Sequence, residues 1–131
     1  MIDVDSAGRT PLHYAAVDGD IQEAKRLLDG GEPPDTPDRQ GFTPLHAACQ
    51  QENIAVAQLL LDAGAAVDPR DSFGNTPLWR AVFAFQGGQP DLIRLLLAAG
   101  ADPDAKNNSN RSPRDMALTF ERPGIEAVFP S

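Results

Sequence analysis

Two histidines and one cysteine are the side chains of this 131-residue sequence best suited to bind a metal or to act as a base or nucleophile. His13 and His46 each end a four-residue run, TPLH, and the two runs stand 33 residues apart. If the runs belong to successive copies of one unit, the histidines lie too far apart to share a metal ion. Cys49 would need a nearby base and an electropositive setting, which an acidic chain does not supply. These residues therefore predict packing and hydrogen bonding rather than catalysis.

Other arrangements that carry chemistry are missing from the sequence. It contains no GxSxG turn, no Walker phosphate loop, no HExxH pair and no CxxC pair. The segment DPDAKNNSN at 102–110 begins like a calcium loop, but it lacks the glycine after the third ligand and has Pro113 where a bidentate glutamate should stand. Turn-forming Asp and Asn residues explain this segment better. We therefore predict that the protein is not an enzyme and uses no cofactor and no metal.

Four copies of one unit make up the sequence. Thr-Pro pairs begin at Thr10, Thr43 and Thr76, 33 residues apart each time, and a Ser-Pro pair follows at Ser112 after 36 residues. The runs RLLDGGE, LLLDAGA and LLLAAGA fall into the same register once the third copy is given a three-residue insert, in the segment FQGGQP at 85–90. Such self-similarity is typical of repeat architectures. We predict one domain, 1–131, with copies at about 5–37, 38–70, 71–106 and 107–130.

Each copy carries signals for two helices. Thr or Ser at the N-cap accepts a backbone N–H, and the following proline suits the first helical position, where its missing N–H costs nothing. Gly31, Gly64 and Gly100 end the leucine runs, and glycine favours the left-handed conformation that closes a helix. The Pro, Asp, Asn and Gly residues between copies favour turns. The predicted unit is helix, turn, helix and loop, so the predicted fold class is all-α.

A 33-residue period with TPLH in two copies, followed by LLLDAGA, resembles the ankyrin repeat over nearly the whole chain. The resemblance implies a solenoid of four repeats, the last one truncated. It also implies that the Thr of TPLH caps the first helix and that the His bonds between neighbouring loops. In the first copy, Glu23 and Arg26 replace apolar residues on a helix face that an internal repeat would bury. We therefore expect capping repeats at the ends of the array.

Charge and composition narrow the choice of partner. Asp and Glu number 19 against 11 Lys and Arg, which gives a formal net charge of −8. This charge argues against nucleic acids and anionic membranes and favours a protein with a basic surface, although solubility alone would also explain it. Cys49 stands alone, the chain shows no secretory leader, and no apolar run approaches the roughly 20 residues of a membrane-spanning helix. We expect a monomeric, cytoplasmic protein.

The resemblance also implies where a partner protein binds. In ankyrin repeats, the loop tips and the exposed face of each first helix line a concave groove. No scaffold rule requires phenylalanine at these positions, and exposed aromatic residues are enriched in binding hot spots. We predict that copies two and three form the centre of the groove, with the insert as a side wall. The candidate partner-binding residues are Arg39, Gln40, Phe42, Gln50, Gln51, Phe73, Asn75, Trp79, Arg80, Phe83, Phe85 and Phe120.

The third copy leaves two alternatives open, because Trp79 stands where the first two copies carry histidine. Trp79 and Phe83 either face the partner or pack inward, filling space opened by the insert. Phe42 directly precedes the N-cap residue Thr43, and Phe73 stands three positions before the N-cap residue Thr76. Both positions belong to the loop, so we expect both rings to be exposed. Their replacement by alanine should then weaken binding with little change in stability.

Two functions from different classes remain open. The first is a general adaptor module that binds a protein partner. The second is a dedicated inhibitor, because short acidic ankyrin proteins resemble some bacterial immunity proteins, which occlude a cognate toxin. The net charge of −8 would suit a basic toxin, whereas an adaptor would more often carry a second domain.

Overall fold

The computed structural model of the chain describes residues 4–120 and 125–130, except for the side chains of Phe120 and Glu126. Within these ranges the chain forms α-helices and one 3₁₀ turn, and no strand. The prediction of an all-α fold is confirmed. The helices are α1 (Pro11–Asp18), α2 (Ile21–Asp29), α3 (Pro44–Gln50), α4 (Ile54–Asp62), α5 (Pro77–Ala84), α6 (Asp91–Ala98) and α7 (Pro113–Phe120), followed by the 3₁₀ turn Glu126–Val128.

The helices form two layers. Helices α1, α3, α5 and α7 pack in that order, and α2, α4 and α6 pack in the same order beside them. Leucines at one equivalent place, Leu12, Leu45 and Leu78, are fully buried between the layers. Cys49 is buried as a small apolar side chain, in agreement with the packing role predicted for it. Small residues at a second equivalent place allow the close approach of the first-layer helices: Ala15, Ala48, Ala81 and Ala117, all buried.

Threonine caps start three of the first-layer helices, as predicted. Thr10, Thr43 and Thr76 adopt extended backbone, and each hydroxyl accepts the N–H of the residue three positions later at 3.3 Å. At the start of α7, Ser112 and Asp115 exchange the equivalent pair of bonds at 2.9 and 3.0 Å. Because each hydroxyl satisfies an N–H group that has no partner inside the helix, the four helix starts share this cap.

The two TPLH histidines join neighbouring loops. The Nδ1 atoms of His13 and His46 accept the backbone N–H of their own cap threonine at 3.0 and 3.1 Å. Since Nδ1 is an acceptor, the proton of the neutral ring lies on Nε2. Nε2 then donates to the carbonyl of Phe42 at 2.7 Å in one case and of Asn75 at 2.8 Å in the other. The inter-loop role that the resemblance implied is therefore confirmed for both histidines.

Backbone bonds between the loop tips complete this arrangement. The N–H of Arg39 donates to the carbonyl of Ala7 at 2.9 Å, and the N–H of Ser72 donates to the carbonyl of Gln40 at 2.7 Å. The fourth loop continues the series, because the N–H of its Asn108 donates to the carbonyl of Phe73 in the third loop at 2.9 Å. The loop tips consequently form one ordered row beside the first-layer helices.

Burial of the histidines changes how they titrate. Desolvation lowers the pKa of His13 and of His46 below the ordinary value, and the hydrogen bonds to the Phe42 and Asn75 carbonyls offset this only in part. A neutral ring is also what the Nδ1 acceptor role requires. The scaffold therefore depends on unprotonated histidine.

We expect the free energy of unfolding to fall as the pH falls below about 6.5, the ordinary histidine pKa. Below that value the unfolded chain binds protons that the folded chain, with its lower histidine pKa, does not. The stabilisation is complete above about 6.5 and is lost as the pH falls through the folded-state pKa. Urea denaturation at pH 7.5, 6.5 and 5.5 measures this slope. The variant His13→Gln should flatten it, and stability that stays constant or rises towards pH 5.5 would contradict the account.

Candidate functional site

The exposed faces of the first-layer helices line two adjoining pockets, which together we call the groove. The first, of about 230 Å³, lies over the first two repeats, and the second, of about 390 Å³, lies over the second and third. Gln50 on α3 lines both, so the pockets adjoin at this residue. The first is lined by Arg9, His13, Tyr14, Val17, Phe42, Ala47 and Gln50, and the second by Gln50, Gln51, Glu52, Arg80, Phe83, Ala84 and Gln86.

Equivalent helix positions supply the floor of the groove. Tyr14, Ala47 and Arg80 occupy one place in α1, α3 and α5, and the residues three positions later occupy a second place on the same helix face. Because the caps fix each helix start in the same way, these side chains are in register from one repeat to the next. The groove therefore follows directly from the 33-residue period.

Arg80 is the most constrained charged residue of the groove. Its Nη2 donates to Asp71 at 2.7 Å, and the second oxygen of Asp71 accepts two backbone N–H groups of the third loop. The guanidinium also lies 5.4 Å from the ring centroid of Phe42 and 5.5 Å from that of Trp79. Cation–π contacts on two sides and a buried carboxylate hold the arginine in one place.

Trp79 and Phe83 divide between the two predicted alternatives. Their rings stack with centroids 5.2 Å apart. Trp79 is partly buried against the core, which fits the inward alternative, whereas Phe83 keeps 50% of its surface exposed in the groove. An indole offers no nitrogen acceptor, so α5 keeps its threonine cap but lacks the second bond that the histidines provide.

The expectation that both loop phenylalanines are exposed holds for one of them. Phe73 is 60% exposed on the third loop tip. Phe42 is half-buried, and its ring stacks on the His46 ring with centroids 5.0 Å apart. The expectation for Phe42 was wrong because the ring fits between the histidine of its own repeat and Arg80 of the next.

The predictions for Asn75 and Phe85 as partner-binding residues were wrong, because both side chains are buried inside the repeat stack. Asn75 is buried: its carbonyl accepts the His46 bond, and its Oδ1 accepts from the Asn107 amide at 2.8 Å. Phe85, which follows α5 in an extended conformation, is buried in the hydrophobic core. Neither side chain offers a surface to a partner.

The remaining candidates have different placements. The side chains of Arg39, Gln40, Gln50 and Gln51 are exposed, the first two on the second loop tip and the others at the end of α3. The side chain of Phe120 lies outside the described residues. Within the predicted side wall, only Gln86 lines the groove, and the two glycines after it are exposed.

The candidate partner-binding residues did not include two exposed residues of α1, although the resemblance places the groove along the exposed face of each first helix. Tyr14 and Val17 are 45% and 44% exposed and line the first pocket. The signal was present in the alignment, because they stand at the places of Arg80 and Phe83 in the third copy. They extend the groove to the first repeat.

Metal-binding groups, thiol reactivity and helix length in the described residues bear on catalysis and membrane insertion. Within them, no group of three His, Cys, Asp or Glu side chains is close enough to hold a metal ion. Burial raises the pKa of the Cys49 thiol strongly, which disfavours the reactive thiolate. None of the helices in the described ranges is long and apolar enough to cross a membrane.

Comparison with known proteins identifies a repeat family. The family model for ankyrin repeats, which describes three copies, matches residues 1–71 and 22–107. Comparison with curated proteins gives no significant match. The matched residues contain α1 to α6 and therefore the whole of both groove pockets.

The two loop phenylalanines should differ in their effect on stability. We expect Phe73→Ala to change the free energy of unfolding by less than about 0.5 kcal/mol, because most of the ring is in water. Phe42→Ala should cost about 1–3 kcal/mol through lost burial, the histidine stack and the Arg80 contact. Urea denaturation of both variants measures the difference. Equal costs would contradict the different burial of the two rings.

Two ion pairs at equivalent loop aspartates provide a second comparison. We expect Arg80→Ala to cost about 2 kcal/mol or more, because it leaves the buried Asp71 carboxylate without a cation. Arg9→Ala should cost less than about 1 kcal/mol, since Arg9 is half-exposed and lies 3.9 Å from Asp38.

The double variant Arg80→Ala, Asp71→Asn is the control for this comparison. Asn107 shows that an amide at the same place can accept the two backbone N–H bonds, so removing the charge should recover part of the loss. Chemical denaturation of the single and double variants gives the coupling energy. Equal losses for Arg9→Ala and Arg80→Ala would contradict this assignment.

Proposed function

Because the chain belongs to the ankyrin repeat family, we propose that it is a non-catalytic module that binds a partner protein through the groove and the loop tips beside it. Ankyrin repeats are generally protein–protein interaction modules, and this chain has the all-α repeat architecture of the family. The observation that carries the proposal is a row of exposed apolar and aromatic side chains along α1, the third loop and α5.

The row contains four of the eight exposed large apolar side chains in the described part of the chain. Tyr14, Val17, Phe73 and Phe83 each leave between 44% and 60% of their surface in water. Tyr14, Val17 and Phe83 stand at helix positions that are in register, so these side chains lie along one face of the first-layer helices, and Phe73 stands on the third loop tip. Contiguous apolar surface rimmed by polar residues is typical of a protein-binding site.

The rigidity of the surroundings also supports binding at this surface. The loop tips are bonded to one another through backbone N–H groups, and Arg80 is fixed by Asp71 and two aromatic rings. A surface that is already ordered loses less entropy when a partner binds. Aromatic residues and arginine are also the residue types most often found as hot spots.

Net charge indicates the kind of partner, and cysteine content indicates the cellular compartment. The formal net charge of −8 favours a partner with a basic surface over nucleic acid or an anionic membrane, and it keeps copies of the chain apart as monomers. One buried thiol and no second cysteine suit a reducing compartment, so we propose a cytoplasmic location.

A dedicated inhibitor is the second candidate function, favoured by the same charge. An acidic immunity protein would occlude a basic toxin, in which case the protein encoded beside this chain should be toxic. Co-expression should then abolish the toxicity, and the two proteins should purify together. A harmless neighbour that does not bind would favour the adaptor.

We expect Phe73→Ala and Phe83→Ala each to weaken partner binding by about 2 kcal/mol, roughly 30-fold. A partner captured from the native cell and then purified allows the affinity to be measured by calorimetry. Ile54→Ala is the matched control, because Ile54 is 40% exposed but lies outside the groove, on α4.

Comparison with the Ile54→Ala control shows which results would contradict the proposal. Binding to both phenylalanine variants at wild-type affinity, or a loss confined to Ile54→Ala, would contradict the assignment of the surface. Affinity for a basic partner should also fall as salt is raised, because screening weakens charge attraction.

A further inference from the structure

We propose that the groove binds an extended basic segment of the partner, with one apolar side chain in its first pocket and the main chain of the segment along its second. The inference rests on the proposed function and specifies the chemistry that the same surface recognises. We call the first pocket the apolar half and the second the polar half, because the residues that line them differ in this way.

The apolar half is built to receive a side chain. Tyr14, Val17, Phe42 and Ala47 supply most of its wall. Its volume of about 230 Å³ is below the roughly 300 Å³ at which small-molecule sites begin, so a side chain suits it better than a separate ligand. Burial of an aliphatic group against these residues would supply apolar contact energy.

The polar half is built to receive main-chain amide groups. Gln50, Gln51 and Gln86 bring three carboxamides to one pocket, and none of them makes a side-chain hydrogen bond within residues 4–120 and 125–130. A carboxamide both donates and accepts, as a peptide group does. Three such groups in one pocket therefore match the alternating N–H and C=O of an extended chain.

Arg80 fits a neutral acceptor in this pocket better than a carboxylate. Its charge is already balanced by Asp71 at 2.7 Å, and that contact uses one of its five N–H donors. The Nε donor is buried and has no partner among the described residues, so the remaining Nη donors are the ones that can face a bound segment. The ion pair therefore offers donors with little net charge. A main-chain carbonyl of the segment suits it, whereas an acidic side chain would compete with Asp71 for the same cation.

Carboxylates beside the groove favour a segment with basic residues. Glu52 lines the polar half and Asp18 follows Val17 at the end of α1, and both are exposed. Neither makes an ion pair in the part of the chain that the structure describes, whereas Arg9 and Arg80 of the groove each lie near a loop aspartate. Lys or Arg residues beside the apolar anchor would therefore complement the groove and the net charge of −8.

The experiment is a selection of random 12-residue peptides, displayed on phage, against the immobilised full chain. Enriched peptides should carry an aliphatic residue near Lys or Arg, and synthetic copies should bind in fluorescence anisotropy. Val17→Gln, which gives α1 the residue that α3 carries, should weaken binding at least about fivefold through lost apolar contact. Ile54→Gln should leave binding unchanged, because the exposure of Ile54 is similar and its place is different.

Changes in the peptide test the two halves separately. Replacing the aliphatic residue by serine should abolish most of the binding, and N-methylation of the main-chain amides beside it should weaken binding by removing donors. An acidic or purely polar consensus, or peptides that bind Val17→Gln as well as wild type, would overturn the proposal. Binding unaffected by N-methylation at every position would overturn the role of the polar half.

Failure of this inference can be distinguished from failure of the proposed function. If selection yields no binding peptides while Phe83→Ala still weakens binding of the captured partner protein, the groove takes a folded surface and the extended segment is wrong. If the partner binds Phe73→Ala, Phe83→Ala and Val17→Gln as it binds wild type, the assignment of the groove as the binding site is wrong.

Discussion

The hydrogen bond from a buried histidine to the carbonyl of the next loop is the interaction on which the rest of the structure depends. In the first two repeats, one neutral imidazole accepts the N–H of its own cap threonine and donates to the neighbouring repeat at 2.7 or 2.8 Å. The same ring therefore fixes a helix start and the distance to the next loop. Because a helical repeat cannot bury its apolar face alone, this coupling sets the register in which the groove residues follow one another.

The third repeat departs from this arrangement. Trp79 cannot accept the cap N–H, and its own indole N–H has no hydrogen-bond partner among the described residues. Asp71 holds the third loop through two backbone N–H groups, as Asp38 holds the second, and it makes the shorter ion pair, to Arg80. The contact to the fourth loop passes to asparagines, with Asn107 bonded to Asn75 at 2.8 Å and Asn108 to the carbonyl of Ser72 at 2.9 Å. Trp79, where the first two repeats carry histidine, packs against the core, stacks on the exposed Phe83 and lies beside the Arg80 guanidinium.

The fold was predictable from sequence because it depends on local signals that recur. The Thr-Pro caps, the glycines after the leucine runs and the 33-residue period each determine local geometry, and their repetition identifies the architecture. Individual side chains at the site were less predictable. Phe42 and Phe85 were both candidates for partner binding, but the first is half-buried beside a histidine of its own repeat and the second is buried in the core. Such placements depend on contacts between repeats and on the path of the insert, which no local pattern specifies.

The tautomer of the histidine rings tests this account most directly. Long-range proton–nitrogen NMR spectra distinguish a proton on Nε2 from one on Nδ1 and from a charged ring. At pH 7.5 the account predicts that His13 and His46 are both neutral, with the proton on Nε2 in slow exchange with water. A proton on Nδ1, or rings that average between both forms, would show that the loops are not coupled in this way and that the groove has no fixed register.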